Sequence, residues 1–169
     1  MALTEAQRTV LATDIRASSD PDVVAALAIR NDPEMARLYN LDSAFVVWNP
    51  SVQPEEYRAV MAWTEVDQLT TGNARIWEWI TSNMTLTLDT SDQNVRQGLA
   101  DAFSQNSTNR ANLLALAKII ATVAQELYAT GTGTTATPGD YGSGTLSTDP
   151  TVSGNITFTD VGKALNENP

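Results

Sequence analysis

The chain has 169 residues, 42% hydrophobic and 18% charged, and its 20 acidic and 10 basic side chains give a net charge of −10 without any cysteine or histidine. Lacking cysteine, it has no disulfide, thiolate nucleophile or cysteine-ligated metal, and lacking histidine it is without the commonest general base and transition-metal ligand. The acidic balance and the absence of any basic run argue against binding to nucleic acid, which needs clustered Lys and Arg to neutralise phosphates.

Short helices are predicted over the first quarter of the chain. The capping-box pair Thr4 and Gln7 predicts a first helix that ends near Ala17. The Asp-Pro steps at 20–21 and 32–33 each predict a helix start. Aspartate at the cap accepts hydrogen bonds from the first-turn amides, and proline is tolerated at the first helical position.

A β-favouring run follows at residues 43–49, with four large apolar side chains from Phe45 to Trp48. The run is too short for a helix, and prolines follow it closely, so we expect an extended connector packed on the body rather than a strand of a sheet. Helical periodicity resumes at Pro54, is interrupted near Gly72, and continues over residues 76–84.

Two further helices are predicted before the composition changes. The first opens at Thr90 or Ser91 and contains Gly98, which costs about 1 kcal/mol relative to alanine and therefore predicts close packing of a neighbouring helix. The second has apolar residues at 3–4 spacing from Ala111 to Tyr128, with Gly131 beyond it as a left-handed terminator. At 1.5 Å per residue this helix would be roughly 27 Å long, which suits the central member of a bundle.

The remaining residues, 130–169, differ in composition. Seven of the nine glycines lie at or after Gly131, and 16 of the 25 residues from 131 to 155 are Gly, Thr or Ser. Too few apolar side chains are present to offset the ordering entropy, so this segment is either a disordered end or an arm that orders on a partner. Within it we expect a short strand at 155–159 and a terminal turn capped by Asp160. The predicted partner-binding residues are Tyr141, Leu146, Val152, Ile156 and Phe158.

The fold class predicted from these elements is all-α. It is a small helical bundle, residues 1–129, with a long central helix, followed by an extended Gly/Thr/Ser-rich arm, residues 130–169. No signal peptide is recognisable in residues 2–16, and no apolar stretch reaches the roughly 18 residues that suggest a membrane span. We therefore expect a soluble protein made and kept, or assembled, inside a cell, with no membrane partner.

No motif predicts catalysis or a cofactor. Residues 131–136 match the letters of a dinucleotide fingerprint, but they close a predicted helix, whereas that motif must open one. Glu78 stands between two tryptophans, but a helix places residues 77, 78 and 79 on different sides, so Glu78 is expected to face solvent. Arg75 is placed for a cation–π contact with Trp79. We predict a protein that is not an enzyme and holds no cofactor or metal.

The tryptophans and the arginines have structural interpretations. Three tryptophans fall on predicted helices and are expected in the core or half in it: Trp63, Trp77 and Trp79. The basic side chains comprise eight arginines and two lysines. Arginine is favoured at protein interfaces, so this ratio slightly favours an oligomer.

The segments Tyr57–Ile80 and Arg96–Phe103, with the stretch Ala129–Gly133 after the predicted long helix, resemble small virion proteins of tailed bacteriophages. Among these, head-to-tail connectors (adaptor or head-completion proteins) are similar in plan. The resemblance implies a structural protein of the virion, assembled in the host cytoplasm as a ring, twelve-fold by that likeness, beneath the portal. The implied partners are neighbouring copies, the portal, and neck or tail proteins, with the arm docking on the portal or an adjacent subunit. DNA would pass through the ring without being bound specifically.

Three other functions remain open. A capsid decoration or other head-associated protein fits the arm equally well. A small terminase subunit would also be helical and ring-forming, but it needs a basic DNA-binding face that the sequence does not supply. A cell-wall hydrolase would have to act through carboxylates such as Glu78.

Overall fold

The computed structural model describes residues 3–82, 87–134 and 154–167. These residues are mostly helical and include one two-stranded sheet, so the fold is not purely all-α. In chain order the elements are α1 Glu5–Ala17, α2 Pro21–Ala28, α3 Asp32–Tyr39, β1 Asp42–Trp48, α4 Pro54–Val60, α5 Trp63–Val66, α6 Thr71–Ser82, α7 Gln93–Ala102, α8 Thr108–Leu116, β2 Lys118–Thr122, α9 Val123–Tyr128 and α10 Phe158–Glu167.

The chain divides into two compact units. The first comprises Met1–Phe45, Ile120–Thr130 and Leu146–Pro169, and the second Val46–Ile119 and Gly131–Thr145. This division differs from the predicted one into a body, 1–129, and an arm, 130–169. Residues 135–153 of the predicted arm lie outside the described residues, so its extended form stays a prediction.

The first unit is a cluster of helices. Here α1 packs on α2 and α10, while α3 packs on α2, α9 and α10. Its core consists of apolar side chains, the most buried of which are Leu11, Ala12, Ile15, Met35, Tyr39, Ala124, Val161, Ala164 and Leu165. The last three belong to α10, so this helix completes the core of the unit.

The starts of α1 and α2 follow the predicted capping chemistry, and the start of α3 does not. The capping box of α1 is confirmed, since the Thr4 amide donates to Gln7 Oε1 (2.7 Å) and the Gln7 amide to Thr4 Oγ1 (3.4 Å). Asp20 caps α2 as predicted. For α3 the predicted cap is wrong: Asn31 accepts from the backbone there, and Asp32 is the first helical residue.

The second unit has an aromatic core. The Trp77 ring lies edge-on to Phe103 (centroids 5.2 Å apart) and to Tyr57 (6.4 Å), geometries that aromatic pairs favour. The predicted close packing at Gly98 is confirmed, because a Cβ atom there would lie 2.9 Å from Ile80 Cδ1 of the neighbouring α6. Gly98 thus lets α6 and α7 approach each other.

The predicted long helix over 111–128 is wrong, as is the predicted connector at 43–49. The structure has α8, then β2, then α9, and β1 and β2 pair in a sheet. Hydrogen bonds from the Asn49 amide to the Ala117 carbonyl (2.8 Å) and from the Val123 amide to the Leu41 carbonyl (2.9 Å) flank the pairing. The β-branched side chains Ile119 and Ile120 favour a strand.

Helix α9 restarts through a second capping box. The Thr122 amide donates to Gln125 Oε1 (3.0 Å), and the Gln125 amide donates to Thr122 Oγ1 (3.2 Å). This is the same Thr-x-x-Gln motif that begins α1. The apolar residues at 3–4 spacing thus run through α8, β2 and α9, although the chain forms two helices there and not one.

Thr90 ties two backbone segments together instead of capping a helix. It is fully buried, and its hydroxyl lies within hydrogen-bond distance of the carbonyls of Asn49 (2.6 Å) and Ala117 (2.9 Å). The cap of α7 is Asp92, whose carboxylate accepts from the Asn94 amide (2.8 Å). The predicted cap at Thr90 or Ser91 is therefore wrong.

Candidate interaction surfaces

Large apolar side chains that stay exposed on a folded unit are the first candidates for a binding surface. Among the described residues, several large apolar side chains have more than a third of their surface exposed, and three of these are aromatic. These exposed apolar residues are Val10, Val24, Ile29, Leu41, Trp63, Trp79, Ile119, Ile120 and Phe158. Exposed Trp and Phe are of particular interest because buried aromatics dominate the energetics of protein interfaces.

In the first unit, the exposed side chains of Leu41 and Phe158 are taken together as a candidate surface, here called the Phe158 surface, because hydrogen bonds join the residues beside them. They flank a reciprocal pair of hydrogen bonds: Asn40 Nδ2 donates to the Ile156 carbonyl (2.8 Å), and the Ile156 amide donates to Asn40 Oδ1 (2.9 Å). Phe158 is 61% exposed, whereas Ile156 is buried.

The five predicted partner-binding residues differ in their accessibility to a partner, and three of them lie outside the described residues. Phe158 is accessible to a partner. Ile156 is buried in the core of its own chain, so it is not available while it stays packed there. Tyr141, Leu146 and Val152 lie outside the described residues, and their role stays a prediction.

Helix α10 begins with a capping box and a buried carboxylate. The Thr157 amide donates to Asp160 Oδ2 (2.9 Å), and the Asp160 amide donates to Thr157 Oγ1 (3.2 Å). Asp160 is therefore the third residue of the helix and not its cap. The predicted terminal turn is a ten-residue helix, because Val161, Ala164 and Leu165 share one face and bury it.

Asp160 also binds the start of the chain, since the Leu3 amide donates to its Oδ1 (3.2 Å). Burial alone would raise the pKa of this carboxyl, but hydrogen bonds from Thr157 and from the Leu3 amide outweigh it, and the pKa is lowered. Asp160 thus stays charged while it is only 3% exposed.

Three arginines hold the far end of α10. Arg8 Nε lies 2.6 Å from Glu167 Oε2, Arg16 donates to the Leu165 carbonyl (3.1 Å), and Arg30 donates to Asn166 Oδ1 (2.8 Å). We call the surface that receives this helix the α10 seat: helices α1 and α3 with Leu3, Arg30 and Asn40. The sequence did not reveal this pairing because the partners are 116 to 159 residues apart.

In the second unit, the outer side of α6 forms another candidate surface, here called the α6 face. A shallow pocket lies there, lined by Arg75, Glu78, Trp79, Thr81 and Ser82. Trp79 is 60% exposed and Glu78 is also exposed, while Trp77 is buried. The outward placement of Glu78 is confirmed. Trp63 and Trp79, which were predicted to lie in the core or half in it, are instead largely exposed.

Glu65, an acid without a predicted role, binds the start of α8. Its two oxygens accept from the amides of Thr108 and Asn109, both at 2.9 Å. These two hydrogen bonds, the Asn109 one foremost, lower the pKa of Glu65. Asn109 itself is fully buried and makes two further hydrogen bonds with the backbone of Ala62. This carboxylate therefore caps a helix. Its partners in this contact are backbone amides, which do not act as acids or bases.

Trp48 is buried, and two cations lie within cation–π distance of its ring. The Arg96 guanidinium lies 4.4 Å from the ring centroid and the Lys118 ammonium 5.4 Å from it. Arg96 also donates to the carbonyls of Thr90 and Ser91, both at 2.7 Å. Such cation–π contacts stabilise the packing of this tryptophan and use two basic groups internally.

Residues 3–82, 87–134 and 154–167 contain neither a cluster of metal-ligating side chains nor a helix that could span a membrane. They contain no group of three acidic side chains that could hold a metal ion. None of their helices combines the length and apolar character that crossing a membrane requires. In the glycine motif, Gly131 and Gly133 have positive φ (96° and 62°). Helix α9 nevertheless ends at Tyr128, and its C-cap residue Ala129 is extended, so the prediction that Gly131 is its left-handed terminator is wrong.

Comparison of the chain with protein-family models, curated proteins and solved structures finds no match. Any function must therefore be argued from the surfaces described above and from the sequence.

Proposed function

We propose that this protein is a structural protein of a tailed-phage virion, a head-to-tail adaptor that forms a ring under the portal. The observation that carries the proposal is the exposure of Trp79 and Phe158, one on each unit, outside cores that are otherwise well packed. The likeness of Tyr57–Ile80 and Arg96–Phe103 to phage virion proteins supplies the biological setting.

A ring places a specific demand on its subunits. In a cyclic ring each subunit contacts its two neighbours through two different surfaces. The Phe158 surface and the α6 face are two such surfaces, since one belongs to the first unit and the other to the second. Trp and Arg, which the α6 face combines, are the residue types most enriched among interface hot spots.

The net charge of −10 suits a ring that DNA traverses. An acidic lining repels phosphates, so DNA would pass without adhering. Several arginines are also occupied within the chain: Arg37 by Glu34 (2.7 Å) and Arg8, Arg16, Arg30 and Arg96 by the contacts given above. This internal use of arginine favours the adaptor over a small terminase subunit, which needs a basic face for DNA.

The structure changes how the arm can be tested. Deleting residues 131–169 to remove the arm would also remove α10 and uncover the apolar side chains of α1 and α3. The test therefore uses the full chain. Its mass is measured by light scattering and native mass spectrometry, alone and mixed with the portal protein of the same phage. We expect a ring and a complex with the portal.

Two substitutions locate the contacts. Trp79→Ser and Phe158→Ser should each weaken self-association or portal binding by about 30-fold, the effect of losing a hot-spot residue. Trp63→Ser is the matched control, because Trp63 is comparably exposed (54%) but lies outside both surfaces. A protein that stays monomeric at all concentrations and ignores the portal refutes the adaptor role; binding to assembled capsids instead would indicate a decoration protein.

A further inference from the structure

We infer that the α10 seat of one subunit can receive α10 from a second copy of the chain, so that neighbouring subunits exchange this helix. The inference rests on the proposed ring for its setting. It assigns the partner of one specific surface: a helix of the same sequence, in the groove between α1 and α3.

The seat is contiguous in sequence, and every copy therefore presents it whole. Four residues that hydrogen-bond to α10, Leu3, Arg8, Arg16 and Arg30, precede β1, and so does Asn40, which binds Ile156 just before the helix. A neighbouring copy would offer the same amide, the same arginines and the same asparagine.

Helix α10 has the features of a helix that binds in a groove. Val161, Ala164 and Leu165, at positions i, i+3 and i+4, are at most 2% exposed and form one apolar stripe. Buried Ile156 adds a fourth anchor just before the helix. Charged and amide groups at both ends, Asp160 and Glu167 among them, set its direction and register.

Gly162 marks a close approach of α10 to α3. A Cβ atom on this residue would lie 2.8 Å from Asp32 Oδ2, at the first residue of α3. The approach is to the end of a flexible side chain, so glycine is not required there. A second copy of the chain is favoured over an unrelated helix because the polar groups at both ends of α10 pair with individual residues of the seat.

The chain that precedes α10 is long enough for exchange. The 19 residues 135–153 separate the described parts on either side. A chain of that length can span up to roughly 65 Å when extended, against a radius of gyration of about 13 Å for a 100-residue domain. Reaching a neighbouring seat is therefore compatible with chain geometry.

Own-chain and exchanged docking make the same contacts, so the local concentration of each seat decides between them. In dilute monomers the seat of the same chain is the nearer one. In a ring the neighbouring seat is held close as well, and exchange then links subunits at little cost. We therefore expect exchange in the assembled state.

The absence of cysteine gives a direct test. Two single variants of the full chain, Arg8→Cys and Glu167→Cys, carry different tags, are co-expressed and are treated with a short bis-maleimide crosslinker. Because these side chains touch across the seat, a crosslink between the two tagged chains requires α10 of one copy on α1 of another. We expect such mixed dimers in the oligomer at about tenfold the yield of a collision control.

The controls separate the possible outcomes. Glu55→Cys mixed with Glu167→Cys measures random collision, since Glu55 is exposed and outside the seat. The double variant Arg8→Cys/Glu167→Cys on one chain, diluted to the monomer, should crosslink internally and shows that the reagent spans the pair.

A ring in which only internal crosslinks form overturns exchange and leaves the adaptor role standing. A protein that forms no ring but yields mixed dimers above the control at high concentration supports exchange and contradicts the adaptor. A protein that forms neither ring nor mixed dimers contradicts both.

Discussion

The two units use different interactions to hold their helices together. In the first, α10 is fastened by hydrogen bonds and an ion pair to residues more than a hundred positions away, with the buried carboxylate of Asp160 at the start. In the second, α6 and α7 are joined by the edge-on contact between the rings of Trp77 and Phe103 and by the close approach at Gly98. The first arrangement depends on charge and therefore on pH, and the second on packing.

The largest effect is expected from removing a ring of the aromatic core in the second unit. Trp77→Ala should lower the free energy of unfolding by about 3–5 kcal/mol, since it removes a buried ring and leaves a cavity beside Phe103 and Tyr57. Urea unfolding followed by far-UV circular dichroism measures it. Trp79→Ala, two residues on and exposed, is the matched control and should change stability by about 0.5 kcal/mol or less. Equal effects would show that the ring cluster is not the core of this unit.

A smaller, pH-dependent effect on stability is expected from removing the buried carboxylate of Asp160 in the first unit. The folded-state pKa of Asp160 is lowered, so its stabilisation is complete above the unfolded value near 3.9 and is lost as pH falls through the folded value. Asp160→Asn should lower stability at neutral pH by about 1.5–3 kcal/mol and flatten the loss below about pH 4.

The measurement is urea unfolding at a series of pH values. Asp67→Asn, an exposed site in the second unit, is the control and should leave the profile unchanged. An acid limb that persists in Asp160→Asn would assign the pH dependence to other carboxylates.

The smallest effect compares two helix-interior glycines. Gly98→Ala gains helix propensity of about 1 kcal/mol but pushes on Ile80, which is buried and has little room, so we expect a net loss of about 1 kcal/mol. Gly162→Ala meets the Asp32 carboxylate, which is half-buried and can rotate, so we expect a change between zero and a gain of about 1 kcal/mol. Thermal unfolding of the two variants measures the difference, and a reversed order would contradict this interpretation of the contacts.

Local chemistry was predictable from the sequence, as the caps at Thr4 and Asp20 show. The packing role of Gly98 was also predictable, because glycine inside a strong helical pattern needs a reason. The predicted helix over 111–128 failed because the apolar spacing fits one continuous helix equally well. The Thr122–Gln125 box, identical in kind to Thr4–Gln7, was the local signal that a helix begins anew there.

The candidate surfaces were less predictable. Glu65 and Asn109 bind partners 43 to 47 residues away, and no local pattern encodes such a pairing. An alternating segment at 155–159 places Ile156 and Phe158 on one face, yet α10 begins at Phe158 and separates them, one buried and one exposed. Which apolar side chains remain available to a partner depends on tertiary packing that spacing alone does not determine.

The distribution of the first unit along the chain has a consequence for synthesis. Leu3 and Asp160, which meet in that unit, are 157 positions apart, whereas Val46–Ile119 forms most of the second unit as one continuous stretch. Because a nascent chain emerges from its amino end, that stretch is complete while the α10 seat is still waiting for its helix. During this interval the apolar groove of each new subunit is open, and α10 is the last element to cover it.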